Sequence, residues 1–234
     1  MDMVSKLENV KHPNILNFLE PAMLIEEIQT LVFKTESPDH ISTWKQFCKY
    51  NFTTEEVLCI FRQLASAIAH LHSQGIIHRD VHPTRIHYNN GLVKFNLIGL
   101  PYNFKKLLKC TNYSGHVNYS APEIISEEQN LQGMIDAEDY DAGIFTEKAE
   151  TWSLGCCLYY LVTKMDPFEG STVKETKMNI MKLRLNHPKE PIDPVVNSII
   201  MKCFERNPAR RLDVKGIIKY LDSLEMINYG DYVS

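Results

Sequence analysis

The chain has 234 residues, of which 44% are hydrophobic and 23% are charged, the composition of a globular protein with one sizeable core or two small lobes. Its net charge of −4 excludes the strongly basic surface that nucleic-acid-binding domains carry, so we expect no nucleic-acid partner. The six cysteines are scattered within apolar patterns, which favours reduced, buried thiols in a cytoplasmic protein over a disulfide framework.

The hydropathy pattern gives no sign of a membrane or secreted protein. The longest apolar-rich stretch, residues 152–162, is too short to cross a bilayer and predicts a buried core helix instead. No basic-then-apolar leader opens the chain, so we expect no secretion and no membrane span.

The first part of the chain predicts the end of a helix and two short strands. A helix end is expected over residues 3–9, followed by a turn at His12-Pro13-Asn14 and by apolar runs at 15–19 and 31–33 that predict the strands. The proline-containing loop at 36–39 predicts a hinge between a small first part and a larger second part.

A long amphipathic helix is predicted next. From Thr53 onward apolar residues recur at spacings of three and four, and Thr53 or Thr54 can cap the start of the helix. Gly75 can end it, because glycine tolerates a positive φ. Short apolar pieces then predict strands at residues 76–77, 86–88 and 92–95, with a tight turn between the last two at 89–91.

The remainder of the chain is predicted to be mostly helical. Apolar residues of helical period predict four helices, over residues 149–162, 172–185, 194–205 and 214–223. A short group of strands between one long helix and several later helices predicts an α+β fold or a predominantly helical domain.

An acidic stretch interrupts this helical region. Residues 127–147 contain seven aspartates and glutamates and no lysine or arginine. Two interpretations stay open, a solvated loop and an acidic docking surface for a basic partner.

A series of short motifs carries the most specific signal. His78-Arg79-Asp80 follows an apolar pair and precedes Pro83, which predicts a carboxylate on a loop just beyond a strand, where reactive groups are usually displayed. This motif is one of seven that occur in order: HPNI (12–15), IIHRD (76–80), VKFNLIG (93–99), YSAPE (119–123), WSLG (152–155), PF (167–168) and NPARR (207–211). Their order and spacing resemble the signature set of the eukaryotic protein kinases, and of the serine/threonine kinases in particular.

The resemblance implies a protein-kinase-like fold with two unequal parts. Residues 1–35 would be a partial small lobe that contains the end of the family's αC helix and two strands. Residues 36–226 would be a mostly helical large lobe with the acidic insert at 127–147, and residues 227–234 a tail.

The resemblance also implies roles for individual residues by their position in the motifs. Asp80 matches the catalytic base, and Arg79 matches the arginine that pairs with a phosphorylated activation segment. Gly99 matches the glycine of the Asp-Phe-Gly motif. Glu123 and Arg211 match a buried ion pair that ties the activation segment to the late helices.

Glu150 departs slightly from the family pattern, because the family has aspartate at this position in the central helix. The added methylene keeps the charge, and we expect it to loosen the contact of this carboxylate with the backbone around His78 and Arg79.

Two departures concern the metal ligands. Kinase chemistry uses magnesium ions to neutralise charge that develops on the transferred phosphoryl group, and these hard cations need oxygen ligands. The family's aspartate ligand is replaced by Leu97 and its asparagine ligand by Arg85. A one-residue bulge could aim the amide of Asn96 inward, but a neutral carbonyl replaces a carboxylate poorly. We therefore expect no metal ion and no ATP as cofactor.

Three further positions also depart from the family. His82 stands where serine/threonine kinases carry a lysine near the transferred phosphate, and His116 replaces the threonine that usually partners this lysine. Met3 stands where the family's small-lobe glutamate would fall, and no glycine-rich loop or strand lysine precedes it. The chain is thus expected to be a fragment of a longer product, or to need a partner that completes its small sheet.

Several side chains admit more than one interpretation. His78, His82 and His87 lack the spacing of a metal site, and His78 is expected to be a packed structural histidine. Asp80 could pair with Arg85 and close the site instead of acting as a base. The hydroxyls of the activation-segment region are either phosphorylation sites that Arg79 reads or ordinary loop side chains, at Thr111, Tyr113 and Ser114.

Together these observations predict a pseudokinase that acts by binding a protein partner, such as an active kinase, as a scaffold or regulator in signalling. The alternatives are a divergent ATP-dependent serine/threonine kinase, completed by an upstream segment, and an inert product without a stable fold. Retained Asp80 favours the kinase, whereas Leu97 and Arg85 oppose it.

Overall fold

We describe the protein from a computed structural model, which covers residues 9–20, 23–25, 30–32, 42–43, 50–89, 91–97, 117–131 and 146–230. Several sequence predictions lie outside these residues: the helix end before residue 9, the hinge at 36–39, Gly99, His116, the hydroxyls of Thr111, Tyr113 and Ser114, and most of the acidic insert.

Six α-helices make up most of the described chain: α1 (Thr54–Ser73), α2 (Pro122–Leu131), α3 (Glu147–Thr163), α4 (Val173–Lys182), α5 (Pro194–Cys203) and α6 (Val214–Gly230). The mostly helical α+β prediction is therefore confirmed. None of the helices within these ranges is long and apolar enough to cross a membrane.

The strands form two small antiparallel sheets within the described ranges. β1 (Met23–Ile25) pairs with β2 (Thr30–Val32), and β3 (Ser42–Thr43), β4 (Ile86–Asn89) and β5 (Leu92–Phe95) form a three-stranded sheet in that order. Gly91 lies in the turn between β4 and β5 with a φ of 87°, a conformation that favours glycine.

Two strand predictions are wrong. Residues 15–19 form no continuous strand, because Ile15 makes an isolated bridge to Phe95 and Phe18 is a single bridge residue separated from it by two residues without strand structure. Residues 76–77 also form no strand: Ile76 is fully buried, but its amide N–H returns to the carbonyl of Leu71 at the end of α1 and pairs with no strand.

The five helix predictions are right in place and differ at the ends, whereas α2 was not predicted and includes residues 127–131 of the acidic stretch. The Thr53 side chain and Glu56 form a reciprocal capping box at the start of α1, and Gly75 follows its end with a φ of 68°. Predicted helix 172–185 ends earlier because Leu183 adopts a left-handed conformation, with a φ of 52°. Predicted helix 194–205 ends at Cys203, and predicted helix 214–223 continues to Gly230.

The core lies around α3, which is buried on nearly all sides by α1, α5 and α6. An aromatic cluster of Trp152, Phe168 and Phe204 packs with ring centroids 4.9–5.3 Å apart. Cys156, Cys157 and Cys203 are buried free thiols in this core, as predicted, whereas Cys59 is exposed. Burial raises the pKa of the Cys203 thiol to about 12, so it stays protonated and packs as an apolar group.

Candidate functional site

The candidate site is the loop that connects α1 to β4. Arg79 adopts a left-handed backbone with a φ of 67°, a conformation that costs energy in a residue other than glycine. Its amide N–H donates to Glu150 Oε1 at 2.5 Å, so the buried carboxylate of α3 holds the loop in this conformation. The hydrogen bond from the Arg79 amide to Glu150 thus offsets the cost of the left-handed backbone at Arg79.

Glu150 binds two elements at once. Its second carboxylate oxygen lies 2.7 Å from His72 Nε2 on α1, and the side chains of both residues are almost completely buried. The looser contact expected from the added methylene is not seen, because the longer side chain reaches both His72 and the backbone of Arg79. Glu147 adds a second, longer contact of 3.8 Å to His72 Nδ1.

His78 is a packed structural group, fully buried below the loop. Its Nδ1 accepts the amide N–H of Asp80 at 3.2 Å, which leaves Nε2 to donate to the carbonyl of Asn96 at 3.1 Å. The ring packs on Phe95 with centroids 4.5 Å apart. Burial lowers the pKa of His78, more than the nearby carboxylates of Glu150 and Asp80 raise it, so the neutral imidazole is favoured.

Asp80 and Arg85 form an ion pair across this loop. Arg85 Nε donates to Asp80 Oδ2 at 2.7 Å, and Arg85 Nη2 lies 2.6 Å from the same oxygen. The carboxylate side chain is 2% exposed and the guanidinium side chain 25% exposed, so the arginine covers the acid from the cleft side. To accept a proton from a substrate hydroxyl, Asp80 would have to give up at least part of this contact.

Leu97 follows the end of β5 and is 3% exposed within the hydrophobic core. The residue before it is held through its backbone, since the Asn96 N–H donates to the carbonyl of Arg85 at 2.8 Å and the Asn96 carbonyl accepts from His78. A bulge that turns the Asn96 amide inward would break both contacts. The structure therefore offers no support for Asn96 as a substitute ligand.

These residues do not fit the magnesium ions that the family implies. Leu97 has no lone pair to donate, and the Arg85 guanidinium is a cation with donors only. Asp80 and Arg85 carry no net charge between them, whereas the family has a carboxylate and a neutral amide at these two positions and a second carboxylate at the position of Leu97. Elsewhere among the described residues, no three His, Cys, Asp or Glu side chains converge to hold a metal ion.

His82 contacts Tyr119, which belongs to a polar cluster with Asn118 and Asp166 near the start of α2. Its ring lies edge-on to Tyr119 with centroids 4.5 Å apart, and the Tyr119 hydroxyl donates a short hydrogen bond to Asp166 Oδ1. Asn118 Nδ2 donates to the other oxygen of Asp166 at 3.0 Å. Burial, and then the charge of Asp166, raises the pKa of Tyr119, so this hydroxyl stays a donor.

Arg211 anchors the segment that begins α2. Its two terminal nitrogens donate to the two oxygens of Glu123 at 2.7 and 2.9 Å, and its Nε donates to the carbonyl of Glu205 at 2.7 Å. The guanidinium also lies 5.1 Å from the ring of Trp152. Because Arg211 is fully buried and fully bonded, it positions α2 against α3 and does not face the cleft.

Sequence reasoning missed three residues that hold the site. His72 lies just before the loop but binds Glu150, 78 residues further along the chain, and Asn118 binds Asp166 across 48 residues. None of the three belongs to one of the seven motifs. The sequence contains a weak signal for the contact of His72 with Glu150. His72 lies on the predicted buried face of one helix and Glu150 lies in a mostly apolar helix, and a buried polar side chain needs a polar partner.

A helical domain with a His-Arg-Asp loop held by a buried acid, and with a glutamate–arginine pair at the foot of α2, defines a protein-kinase-like domain. The family model for the protein kinase domain matches residues 3–221, and the chain belongs to the protein kinase family.

Three known relatives are ribosomal S6 kinases. Ribosomal protein S6 kinase alpha-3 of Homo sapiens is 33% identical over 163 residues, or 69% of this chain and 20% of that protein. The alpha-1 enzyme of Rattus norvegicus is 34% identical over 163 residues (69% and 20%). The alpha-6 enzyme of Homo sapiens is 30% identical over 168 residues (71% and 20%). The chain thus spans about a fifth of the length of these relatives.

Proposed function

We propose that this kinase-like domain is catalytically inactive and acts by binding, as a scaffold or regulator of a protein partner. The observation that carries the proposal is the ion pair of Asp80 with Arg85 beside buried Leu97. Phosphoryl transfer depends on cations that neutralise the growing charge, and neither Leu97 nor Arg85 offers them a side-chain oxygen, while the Asp80 carboxylate is bound to Arg85.

The groups that maintain the fold support the same proposal. Both carboxylate oxygens of Glu150 and both ring nitrogens of His78 have hydrogen-bond partners beside the Asp80–Arg85 pair, and the Glu123–Arg211 pair is also intact. A domain that keeps its packing and replaces its metal ligands is suited to recognition. We propose that the partner is a protein, with an active kinase as the first candidate, and that the complex forms in the cytoplasm.

A divergent serine/threonine kinase is the second candidate. Asp80 is retained at the position of the family base, and the relatives named above are kinases by name. This candidate requires Arg85 to release Asp80 and requires metal ligands from outside the described residues.

Phosphoryl transfer separates the two candidates. The native gene product, with any segment encoded upstream, is incubated with magnesium and labelled ATP beside its Asp80→Asn variant. We expect no transfer by the wild type above the level of the variant. Transfer that disappears on the Asp80→Asn substitution would establish the kinase.

A further inference from the structure

An exposed row of side chains runs along α4. Lys174, Met178 and Lys182 are spaced four residues apart, so they lie above one another on one side of the helix. All three are exposed, and Met178 is 41% exposed although its side chain is large and apolar. A methionine between two lysines on a solvent-facing row is an unpartnered apolar group bordered by cations.

The opposite side of α4 is firmly anchored. Thr176 and Ile180 are buried, and the helix packs on the turn Val117–Tyr119 and on α2. Thr172 caps the first turn through the N–H of Glu175, and the Arg184 N–H returns to the carbonyl of Asn179 at 2.8 Å. The exposed row of Lys174, Met178 and Lys182 therefore lies on a helix whose ends are capped and whose opposite face is packed against the rest of the domain.

The charges of this region are unbalanced. Within the described residues, neither Lys174 nor Lys182 forms an ion pair. Between residues 174 and 189 the chain has five lysines and arginines and one acid, Glu175. That acid is already engaged, because its Oε2 accepts from the N–H and the hydroxyl of Ser171 at 2.8 and 2.5 Å. The local excess of positive charge contrasts with the net charge of −4 of the whole chain.

The geometry of the row selects one kind of partner. Lys174 and Lys182 lie about 12 Å apart along the axis, from a rise of about 1.5 Å per residue. A small anion would contact both ammonium groups only if both lysines bent toward each other across Met178, whereas a helix with acids two turns apart meets each lysine separately. The flexible thioether of Met178 adapts to an apolar side chain placed between those acids.

We propose that this row of α4 docks an acidic, helical segment of a protein partner, with carboxylates on Lys174 and Lys182 and an apolar side chain on Met178. The mode is that of an amphipathic helix laid against a complementary face. This inference deepens the binding role proposed above and rests on it, because it names the chemistry of the partner.

A peptide titration tests the proposal. The probe is a labelled synthetic helix of about 20 residues, with glutamates two turns apart and leucines between them, titrated with the full chain in the absence of metal and nucleotide. We expect saturable binding by the wild type. The double variant Lys174→Glu/Lys182→Glu should weaken binding by about tenfold or more, and Met178→Ser should weaken it by about fivefold.

Matched controls lie on neighbouring helices. Lys215 and Lys219 are an exposed pair on α6, and Met201 on α5 is 42% exposed. Lys215→Glu/Lys219→Glu and Met201→Ser should leave affinity unchanged. The double variant Lys174→Gln/Lys182→Gln removes the two charges without reversing them. It should also weaken binding of the peptide, and it replaces the glutamate variant if charge reversal disturbs folding.

Three results would overturn the docking proposal: no binding by the wild type, an equal loss in the control pair, or tighter binding of anionic vesicles or duplex RNA to the same lysines. None of these results bears on phosphoryl transfer, so failure of the docking surface and failure of the inactive-kinase proposal are distinguishable.

Discussion

Glu150 joins two elements through its two carboxylate oxygens, and the conformation of the candidate loop depends on it. One oxygen holds the strained backbone of Arg79 and the other binds His72, so removing the charge weakens two contacts in a buried place. Glu147 contacts the same histidine at 3.8 Å, but its side chain is 43% exposed. Substituting each of the two glutamates in turn therefore compares a buried contact to His72 with an exposed one.

We expect Glu150→Gln to lower the free energy of unfolding by about 3 kcal/mol, because a buried charged hydrogen-bond partner is lost. Glu147→Gln should lower it by less than about 1 kcal/mol, since solvent screens an exposed pair. Urea denaturation of both variants measures the difference. Equal losses in the two variants would mean that Glu150 does not hold the loop.

Individual contacts could be predicted from the sequence only where the partners are close in the chain. The Asp80–Arg85 pair spans five residues on one loop, and the possibility of this pair follows from that spacing. The His72–Glu150 contact spans 78 residues and exists only because α1 packs beside α3. The contact of Tyr119 with Asp166 depends in the same way on tertiary packing.

At the scale of elements, α3 and α5 approach each other closely at one glycine. A Cβ built on Gly155 would lie 2.4 Å from the Cβ of Cys203 and 3.1 Å from the ring of Phe204. The Cβ of Cys203 cannot turn away without moving the α5 backbone. Gly155 therefore sets the distance between two helices of the core.

Gly155→Ala should destabilise the protein by about 1–3 kcal/mol through overpacking, despite the higher helix propensity of alanine. Gly216 on α6 is the control, because its nearest neighbour is a side-chain oxygen of Asp213 at 3.1 Å. Gly216→Ala should change the thermal midpoint little. A Gly155→Ala protein as stable as this control would contradict the close packing described here.

Five of the six described helices were predictable from their periodic apolar patterns, and α1 also has a recognisable start in the capping box of Thr53 and Glu56. The short helix α2 was missed, because part of it lies in the acidic stretch. The structure of the short apolar runs at 15–19 and 76–77 could not be predicted from the sequence. A short apolar run can be buried in a core either as a strand or as irregular chain. Ile15 and Ile76 are both fully buried, so their apolar side chains indicated that the residues are buried, and did not indicate that they belong to a strand.

At the scale of the whole molecule, several histidines are held neutral by the fold. Burial lowers the pKa of His78 and of His87, and burial together with nearby His70 and Lys94 lowers the pKa of His12. Below the ordinary histidine pKa of about 6.5, the unfolded chain takes up protons that the folded chain does not. These three histidines therefore make the folded state less stable as the pH decreases from that value, and they contribute no pH dependence above it.

We expect the free energy of unfolding measured by urea denaturation, and with it the urea midpoint, to decrease on acidification from about pH 7 to pH 5.5. The free energy should fall by up to about 1.4 kcal/mol per pH unit for each histidine involved. His78→Gln should flatten this dependence, whereas His187→Gln at an exposed position should not. A midpoint that rises on acidification would show that the buried histidines do not control it.

The proposed inactivity of this domain depends most on the absence of metal ligands at Arg85 and Leu97, and a magnesium titration tests this directly. The wild-type chain is titrated with Mg²⁺ in the presence of a non-hydrolysable ATP analogue, with Arg85→Asn/Leu97→Asp as the variant that restores both oxygen ligands. We predict no magnesium-dependent nucleotide binding by the wild type. Magnesium-dependent binding by the wild type, as tight as that of the variant, would contradict the account.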